Sequence, residues 1–198
     1  LGAALEACRA GRTFVVCDAA VRGFADREIL PRIAGCGGIF EIGARESGKS
    51  LSAVEEICGW LLESGADRKS FLLAVGGGIT TDTAGFAASV YMRGIRFAFV
   101  PTTLLAMTDA AIGGKTGVNL DSFKNIIGTF CEPEFTWAPL CALETLPERE
   151  MLCGAAELRK TFIIDNTCGN YSEAVALLSG NHTIGDLAPF VEAAAAIK

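Results

Sequence analysis

The sequence predicts an α/β fold built on a parallel β-sheet. Four short apolar runs, which begin near Thr13, Ile39, Phe71 and Ile95, have the length and the β-branched content of buried strands. Between the second and the third run, residues 50–64 place apolar side chains at helical spacing. Because strands that alternate with helices are typical of a parallel sheet covered on both faces, we expect that architecture here.

Length and composition restrict the classes of function. The 198 residues, 51% of them hydrophobic, suffice for one sizeable core or for one domain and part of another. No apolar run approaches the roughly 18 residues that a membrane span requires, so we expect no membrane insertion. A net charge of −6 argues against nucleic-acid binding, which depends on basic patches. Neither a basic run nor a secretory signal stands at Leu1, and we expect a cytoplasmic protein.

The eight cysteines lie mostly within apolar segments and show no CxxC spacing. We expect them to be small buried hydrophobic side chains in a reducing cytosol, not a disulfide framework or a zinc cluster. The single histidine, His182, stands in a polar stretch. One histidine cannot make a typical zinc site, so an exposed or capping role is expected.

The first two strands end beside polar side chains. The first strand, TFVVC, is followed by Asp18, which either caps the next helix or binds the hydroxyl groups of a cofactor. The second strand leads to a loop that contains Glu46 and Lys49. At i, i+3 spacing near a helix start, these two would by themselves be a surface ion pair.

The third strand runs into Gly76, Gly77 and Gly78, and a helical pattern follows over residues 84–91. Three glycines allow positive φ and remove every Cβ, so an anion can approach the amides at the helix N-terminus. Glycine also serves ordinary turns, so this feature alone is weak. Asp82, predicted to lie in the first turn of the helix, either caps free N–H groups or accepts a ribose hydroxyl.

The fourth strand ends at two hydroxyl side chains, Thr102 and Thr103. In an open α/β sheet, polar groups at the carboxyl ends of strands face a ligand. One of the two threonines is expected to cap the next helix instead.

A glycine-rich segment, GGKTG, follows that helix and contains Lys115. Glycine is tolerated where a ligand or another backbone segment must approach the chain closely. We therefore expect Lys115 to have a role beyond that of a solvated surface lysine. Together with Asp109, Lys124 and Asn125, this lysine suggests a polar, partly cationic site for an anionic substrate. An N-cap role is the alternative for Asp109. GGKTG is not a Walker A loop, because Ala110 stands where the first glycine is required.

The C-terminal part begins with a loop-like stretch over residues 129–139 and a predicted helix over residues 150–164. On that helix Glu157 and Lys160 share one face, and spacing alone favours a helix-surface ion pair. Two further Ala-rich helical stretches are predicted at residues 171–179 and 187–197.

Four segments carry a family resemblance, in this order along the chain: GGGITTDTAGFAASVYMRG, VPTTLLAMTDAAIGGKTGVN, FKNIIGTF and TLPEREMLCGAAELRK. With them, the sequence from about Thr13 to Asp165 closely resembles the 3-dehydroquinate synthases, sugar-phosphate cyclases of the shikimate pathway. The resemblance implies a Rossmann-like, NAD-binding α/β domain over residues 1–147. It also implies the beginning of a helical metal-binding domain over residues 148–198, with the remaining metal ligands expected beyond it.

The resemblance further implies which residues bind which ligand. The implied NAD-binding residues are Asp18, Glu46, Lys49, Gly76, Gly77, Gly78, Asp82, Thr102, Thr103, Lys115, Lys124 and Thr145. The implied catalytic residues are Asp109, Lys115, Asn125 and Lys160, and Glu157 is the implied ligand of a divalent metal, Zn²⁺ or Co²⁺.

The implied activity converts 3-deoxy-D-arabino-heptulosonate 7-phosphate to 3-dehydroquinate and phosphate. NAD oxidises a secondary alcohol of the sugar-acid phosphate, phosphate leaves, and the hydride returns before the ring closes. A homodimer with Arg93 near the partner's site is also implied. The alternatives are another sugar-phosphate cyclase, a metal-dependent polyol dehydrogenase, or a non-catalytic NAD-binding module.

Some positions depart from the family's usual pattern. Ala20 stands where the family often has an asparagine that binds the nucleotide. The other departures, which we expect to alter local packing, are Thr81, Arg159, Thr161 and Phe162.

Overall fold

The computed structural model describes residues 1–8, 10–43, 45–165 and 183–198, together with Ser172 and Ala174. Its main sheet contains β1 (Thr13–Asp18), β2 (Cys36–Ile42), β3 (Phe71–Gly76) and β4 (Arg96–Pro101). All pairs are parallel, in the order β2-β1-β3-β4. The predicted α/β class with a parallel sheet is therefore confirmed.

Among the α-helices of the described residues, four precede or alternate with the strands of this sheet in the sequence, and two come after its last strand. They are α1 (Gly2–Ala7), α2 (Arg22–Phe24), α3 (Leu51–Glu63), α4 (Gly78–Val90), α5 (Glu148–Ile164) and α6 (Ala188–Ile197). Helix α3 begins after Ser50, whose Oγ accepts a hydrogen bond of 3.3 Å from the backbone N–H of Ala53. The predicted C-terminal helix is confirmed as α6. Apart from Ser172 and Ala174, the predicted helix at residues 171–179 lies outside the described residues, as do Cys168 and His182.

Both faces of the sheet are buried at β1, β3 and β4, as their apolar sequences predict, and the edge strand β2 is only partly buried. On one face Leu72 of β3 belongs to a core with Ile57 of α3 and Ala87 of α4. On the other face Leu73 belongs to a core with Leu5 of α1 and Ile29. Successive side chains along a strand point to opposite faces, so one uninterrupted apolar run supplies both cores.

The strand order creates a switch point between β1 and β3. The chain leaves β1 toward β2 on one side and later returns to β3 on the other side. In sheets of this kind, ligands bind in the crevice at the carboxyl ends of the two strands where the direction reverses. Asp18 ends β1 and Gly76 ends β3, so both predicted ligand-binding elements lie at this crevice.

A β-hairpin follows the main sheet and was not predicted from the sequence. It consists of β5 (Lys115–Leu120) and β6 (Phe123–Phe130). Gly117 and Gly128 face each other across it, and a Cβ on Gly128 would lie 2.0 Å from the carbonyl oxygen of Thr116. Glycine has low strand propensity. The same glycines that allow the two strands to approach therefore weaken the sequence pattern by which a strand would be predicted.

The predicted loop over residues 129–139 is partly wrong. Strand β6 extends to Phe130, and residues 134–137 run beside β4. The N–H of Phe99 donates to the carbonyl of Phe135 at 3.1 Å, and the N–H of Trp137 donates to the carbonyl of Phe99 at 2.9 Å. These backbone bonds cover the outer edge of β4, and no periodic side-chain pattern accompanies them.

The C-terminal elements pack on the segment that follows β4. Leu104 and Met107 of that segment share a core with Ala155 of α5 and Val191 of α6. Helix α5 begins at Glu148, next to the predicted boundary, and the division into domains at 147/148 stays a prediction. Among the described residues, no helix is both long enough and apolar enough to cross a membrane.

The expectation that the cysteines are buried is confirmed only for Cys17 among the described residues. Cys8, Cys58 and Cys131 are half-buried, and Cys36, Cys141 and Cys153 are exposed. An apolar neighbourhood in sequence does not decide which face of a strand or helix a side chain occupies. Within the described residues the cysteines are free thiols.

Of the three departures on α5, packing accommodates Phe162, whereas the Nε of Arg159 is buried without a hydrogen-bond partner among the described residues. Phe162 is fully buried with Leu158 and Ala174, and its ring meets that of Phe190 with centroids 6.3 Å apart. Thr161 is also buried, and its Oγ1 has no hydrogen-bond partner among the described residues.

Candidate functional site

The glycine turn lies between β3 and α4, as predicted, but it does not use the positive φ that glycine allows. None of Gly76, Gly77 and Gly78 has a positive φ, and Gly77 is extended at φ −77°, ψ −172°. Their role is close approach, because a Cβ on Gly76 would lie 2.5 Å from Thr80 Oγ1 and one on Gly77 would lie 3.1 Å from Thr103 Cγ2. Gly77 caps α4 without a side-chain hydrogen bond. The helix N-terminus therefore keeps its dipole and first-turn amides for an anion.

Asp82 does not cap this helix. Because α4 begins at Gly78, Asp82 lies in the second turn, and both its predicted first-turn position and the capping alternative are wrong. Its Oδ2 lies 2.5 Å from Nζ of Lys49, and the same ammonium donates to Oδ1 of Asn125 at 2.5 Å. One lysine thus joins a residue of α4 to a residue of the hairpin.

The predicted surface ion pair of Glu46 and Lys49 is therefore wrong. Lys49 is only 6% exposed, and its partner is Asp82. Glu46 instead lies 3.2 Å from Nζ of Lys124 and accepts a hydrogen bond of 2.9 Å from Asn119 Nδ2. The hairpin folds over the loop that carries Glu46 and Lys49, and local spacing gave no sign of that contact.

Burial dominates the protonation of Asp82. It raises the pKa of this carboxyl to about 6, because desolvation outweighs the attraction of Lys49, and the nearby negative charges of Asp109 and Glu46 add to the rise. The pKa of Glu46 moves in the opposite direction. The hydrogen bond from Asn119, and after it the bond from Lys124, lower the pKa of Glu46.

The two threonines after β4 have different roles. Thr103 Oγ1 accepts a hydrogen bond of 3.2 Å from the N–H of Ala106, which confirms that one of the pair caps the next helical segment. Thr102 is 2% exposed, and its Oγ1 has no hydrogen-bond partner among the described residues. A buried hydroxyl without a partner is costly unless a ligand or a water molecule supplies a hydrogen bond, and the cofactor-binding role of Thr102 stays a prediction.

At the end of β1, Asp18 accepts a hydrogen bond of 2.9 Å from the N–H of Ala20. The capping interpretation of Asp18 is therefore confirmed, and its cofactor role stays a prediction. Ala20 donates through its backbone N–H. The hydrogen bond therefore does not require the asparagine side chain that the family often has at this position.

A cavity of about 510 Å³ brings together polar groups from distant parts of the sequence. The charged and amide side chains in its wall belong to Asp82, Asp109, Lys115, Asn125 and Lys198. Four of these were predicted as site residues. Lys115 projects into the cavity from the start of β5 and makes no salt bridge with a described residue.

Lys198 was missed by the sequence analysis. Its Nζ contacts Oδ1 of Asp109 and lies 3.6 Å from Oε1 of Glu157. The available signal was a lysine directly after an Ala-rich helix, since cations are favoured at helix C-termini. Asp109 lies in a π-helical turn, Ala106–Ala110, and pairs with Lys198 through its side chain, so it is not an N-cap.

Glu157 and Lys160 form the ion pair that their spacing predicts. The Lys160 side chain is 55% exposed, and its hydrogen bond to Glu157 raises the pKa of the ammonium. The Glu157 side chain is only 15% exposed and lies between the ammonium groups of Lys160 and Lys198. The catalytic role of Lys160 stays a prediction.

A metal site is not complete among the described residues. Within them, no group of three or more His, Cys, Asp or Glu side chains could hold a metal ion. Catalytic zinc is usually bound by three protein ligands, and Glu157 supplies one suitable carboxylate. Its role as a metal ligand stays a prediction.

The remaining predicted residues lie outside the cavity wall. Thr145 is exposed at the end of a 3₁₀ segment, Leu140–Thr145, and the side chain of Lys124 is 71% exposed. Arg93 is exposed with φ +71°, next to Met92 with φ +50°. Such left-handed backbone is strained for residues other than glycine and is often found at functional positions.

Comparison with known proteins gives a consistent picture. A family model described as "3-dehydroquinate synthase N-terminal" matches residues 39–153. The 3-dehydroquinate synthase of Leptospira interrogans serogroup Icterohaemorrhagiae serovar copenhageni is 49% identical over 142 residues, which are 72% of this chain and 38% of that protein. The chain therefore spans less than half the length of the curated relatives that it matches.

Solved structures with the same fold include two other cyclases. A 2-deoxy-scyllo-inosose synthase, complexed with carbaglucose-6-phosphate, NAD⁺ and Co²⁺, is 26% identical with a TM-score of 0.79, over 96% of this chain and 52% of that one. The 2-epi-5-epi-valiolone synthase of Streptomyces hygroscopicus subsp. jinggangensis 5008, with NAD⁺ and Zn²⁺ bound, is 30% identical with a TM-score of 0.74, over 94% and 54%.

Proposed function

The chain belongs to the 3-dehydroquinate synthase family, and from this premise we propose that it provides the NAD-binding part of a 3-dehydroquinate synthase. The reaction is the conversion of 3-deoxy-D-arabino-heptulosonate 7-phosphate to 3-dehydroquinate and phosphate. The observation that carries the proposal is the cavity, where Asp82, Asp109, Lys115 and Asn125 meet beside the N-terminus of α4. Family membership alone would not require these side chains to converge.

The fit to NAD rests on three features at the carboxyl edge of the sheet. The N-terminus of α4 has no side-chain cap, so its amides are available for the pyrophosphate. The buried hydroxyl of Thr102 has no protein partner among the described residues and is available for a cofactor hydrogen bond. Asp82 and Glu46 offer carboxylate oxygens to ribose hydroxyls. NAD supplies a hydride acceptor that is regenerated within each turnover.

The fit to the substrate rests on charge. A phosphate and a carboxylate need cations, and Lys115 offers an ammonium group that makes no salt bridge with a described residue. Lys198, held by Asp109, places a second ammonium in the same wall. Asn125 adds an amide group whose orientation is fixed by Lys49.

The proposal includes a divalent metal, Zn²⁺ or Co²⁺. Glu157 would provide one carboxylate oxygen, and the ion would polarise a substrate oxygen as a Lewis acid. Lys160 and Lys198 neutralise the Glu157 carboxylate in its present arrangement, so metal binding requires these ammonium groups to give way.

We also propose that the enzyme is a cytoplasmic homodimer in which Arg93 approaches the partner's cavity. The strained, exposed backbone at Arg93 supports this role. The free thiols of the described cysteines are consistent with a reducing compartment.

The test is turnover by the complete protein with heptulosonate phosphate, NAD and Zn²⁺. We expect one phosphate released per dehydroquinate formed and no net NADH. Accumulation of NADH without phosphate would instead identify a polyol dehydrogenase, and phosphate release only from another sugar phosphate would identify another cyclase. Absence of NAD binding at millimolar concentration would contradict every enzymatic alternative.

A matched pair of lysine variants locates the reaction in the cavity. We expect Lys115→Ala to reduce kcat/KM at least about tenfold, the effect of losing one charge-assisted hydrogen bond. Lys69→Ala is the control, because Lys69 is exposed just before the amino end of β3, at the opposite edge of the sheet. Equal losses in the two variants would show that the cavity is not the active site.

A further inference from the structure

Asn119 lies at an irregularity of the hairpin. In the pairing of β5 with β6, Val118 stands opposite Ile127, but Leu120 already stands opposite Phe123. Asn119 therefore faces a bulged stretch of β6, which contains Asn125. Bulges of this kind turn a side chain out of the regular alternation and are common beside active sites.

Three hydrogen bonds connect Asn119 to predicted ligand-binding residues. Its backbone N–H donates to the carbonyl of Lys49 at 3.0 Å. Its side-chain Nδ2 donates to Oε1 of Glu46 at 2.9 Å, and its Oδ1 accepts from the backbone N–H of Asn125 at 2.9 Å. One amide thus links the loop after β2 to the bulge of β6.

Asn125 needs this support because its backbone is left-handed, with φ +54°. Asparagine adopts that conformation more readily than most residues with a side chain, but still at a free-energy cost that glycine avoids, so a hydrogen bond that holds the backbone there stabilises it. The bulge removes the regular ladder partner of the Asn125 N–H, and Asn119 Oδ1 replaces it. Lys49 then fixes the side chain of Asn125 through Oδ1.

Glu46 is supported in the same way. It lies in an exposed 3₁₀ turn, Glu46–Gly48, where nothing in the turn itself fixes the side chain. The bond from Asn119 Nδ2 and the ion pair with Lys124 hold its carboxylate, and Lys124 is itself largely exposed. The amide of Asn119 is therefore the better-fixed of the two partners.

We propose that Asn119 is a positioning residue that holds Glu46 on the cofactor side and Asn125 on the substrate side of one site. This inference rests on the proposed function for the identity of the two ligands. The positioning itself rests on the hydrogen bonds. One side-chain bond holds Glu46, which is proposed to bind NAD, and the other holds Asn125, which is proposed to bind the sugar phosphate. A substitution that breaks one bond and keeps the other therefore separates the effect on NAD binding from the effect on substrate binding.

Asn119→Asp is that substitution. It keeps an oxygen that can accept from the Asn125 N–H, but it places a carboxylate oxygen against Oε1 of Glu46 in place of an N–H donor. We expect the Kd for NAD to rise about tenfold or more, the effect of losing a hydrogen bond to a charged group. At saturating NAD, the KM for the sugar phosphate should change by less than about threefold.

A swap of donor and acceptor tests the contact itself. In a Glu46→Gln background the glutamine amide can donate to the aspartate at position 119, which restores one hydrogen bond. Asn119→Asp should then change the Kd for NAD by less than about threefold relative to Glu46→Gln alone. A purely structural role of Asn119 would give the same loss in both backgrounds and would overturn the proposal.

Asn119→Ala, which adds no charge, gives a second measurement if Asn119→Asp does not fold. It breaks both side-chain bonds, so Kd for NAD and KM for the sugar phosphate should both rise about tenfold. Lys69→Ala, an exposed residue outside the hairpin, is the control and should leave both unchanged. Kd and KM values of Asn119→Ala within about threefold of wild type would refute the positioning role.

Hydrogen exchange separates this inference from the proposed function. Amide exchange in the peptide that spans residues 119–126 should accelerate in Asn119→Ala and stay slow in Asn119→Asp, whether or not the protein turns over. If the wild type fails to bind NAD while exchange follows this pattern, the proposed function fails and the positioning stands. Unchanged exchange in Asn119→Ala would overturn the positioning.

Discussion

Asp82→Asn probes the most perturbed carboxylate in the cavity. The Asp82 side chain is 17% exposed and lies against Lys49, whose side chain is 7% exposed. Two effects oppose each other, since burial disfavours the charged carboxylate and Lys49 favours it. Burial prevails, and the pKa rises from 3.8 to about 6.

The sign of the resulting pH dependence follows from linkage. Because the folded protein holds this proton more tightly than the unfolded chain, it binds more protons between about pH 4 and pH 6. The stabilisation by the protonated carboxyl is complete below the unfolded pKa of 3.8 and is lost as the pH rises through about 6. A difference of about two pKa units corresponds to about 3 kcal/mol of unfolding free energy.

The assay is urea unfolding of wild type and Asp82→Asn across this pH range. Other titrating groups cancel in the difference, and the asparagine keeps an oxygen for Lys49. We expect the wild type to lose about 3 kcal/mol relative to the variant between about pH 4 and pH 7. The ¹³C shift of the Asp82 carboxyl should titrate near pH 6 in parallel. A wild type that gains stability relative to the variant as pH rises would refute the reasoning, because it would show that Lys49 outweighs burial.

Two further predictions concern packing and charge. Gly76→Ala should destabilise the protein by about 1–3 kcal/mol in urea unfolding, because the new Cβ overlaps Thr80, and it should also weaken NAD binding. The matched control, Gly59→Ala in the interior of α3, meets nothing within 4 Å and should stabilise the protein by about 0.5–1 kcal/mol. Lys198→Met removes the ammonium that Asp109 holds in the cavity wall, so kcat/KM should fall about tenfold or more while the Kd for NAD stays within about twofold. A fall in NAD affinity that matches the fall in kcat/KM would contradict that assignment.

The parallel sheet was predictable because its signal is local. Strands β1, β3 and β4 are largely continuous apolar runs, and a run buried on both faces needs no knowledge of its partners to be recognised. The edge strand β2 is only partly buried, and its apolar run, which begins at Ile39, is shorter than the strand. The hairpin had no such signal. Gly117 and Gly128 make it possible by removing side chains, and Lys115, Lys124 and Asn125 are residues that strands usually disfavour.

The site was predictable as a set of residues but not as a set of partners. Asp109, Lys115 and Asn125 were predicted to act together, and they line one cavity. The partner of Lys49 was predicted wrongly, because Asp82 lies 33 residues further along the chain and only the fold brings the two together. Lys198 follows a helix whose packing on residues 106–110 cannot be deduced from spacing.

Two glycines outside the turn between β3 and α4 allow helix α4 and the two hairpin strands to pack closely beside the cavity. A Cβ on Gly85 of α4 would lie 2.6 Å from Cγ2 of Thr116, and a Cβ on Gly128 would lie 2.0 Å from the Thr116 carbonyl oxygen. Strand β5 is therefore pressed between a helix and a strand that both lack side chains at the contact. The same helix carries the uncapped N-terminus, and the same strand carries Lys115. A side chain at position 85 would push β5 off α4, and a side chain at position 128 would push β6 off β5. The close packing of Gly85 therefore sets the separation between the proposed cofactor amides and the proposed substrate lysine.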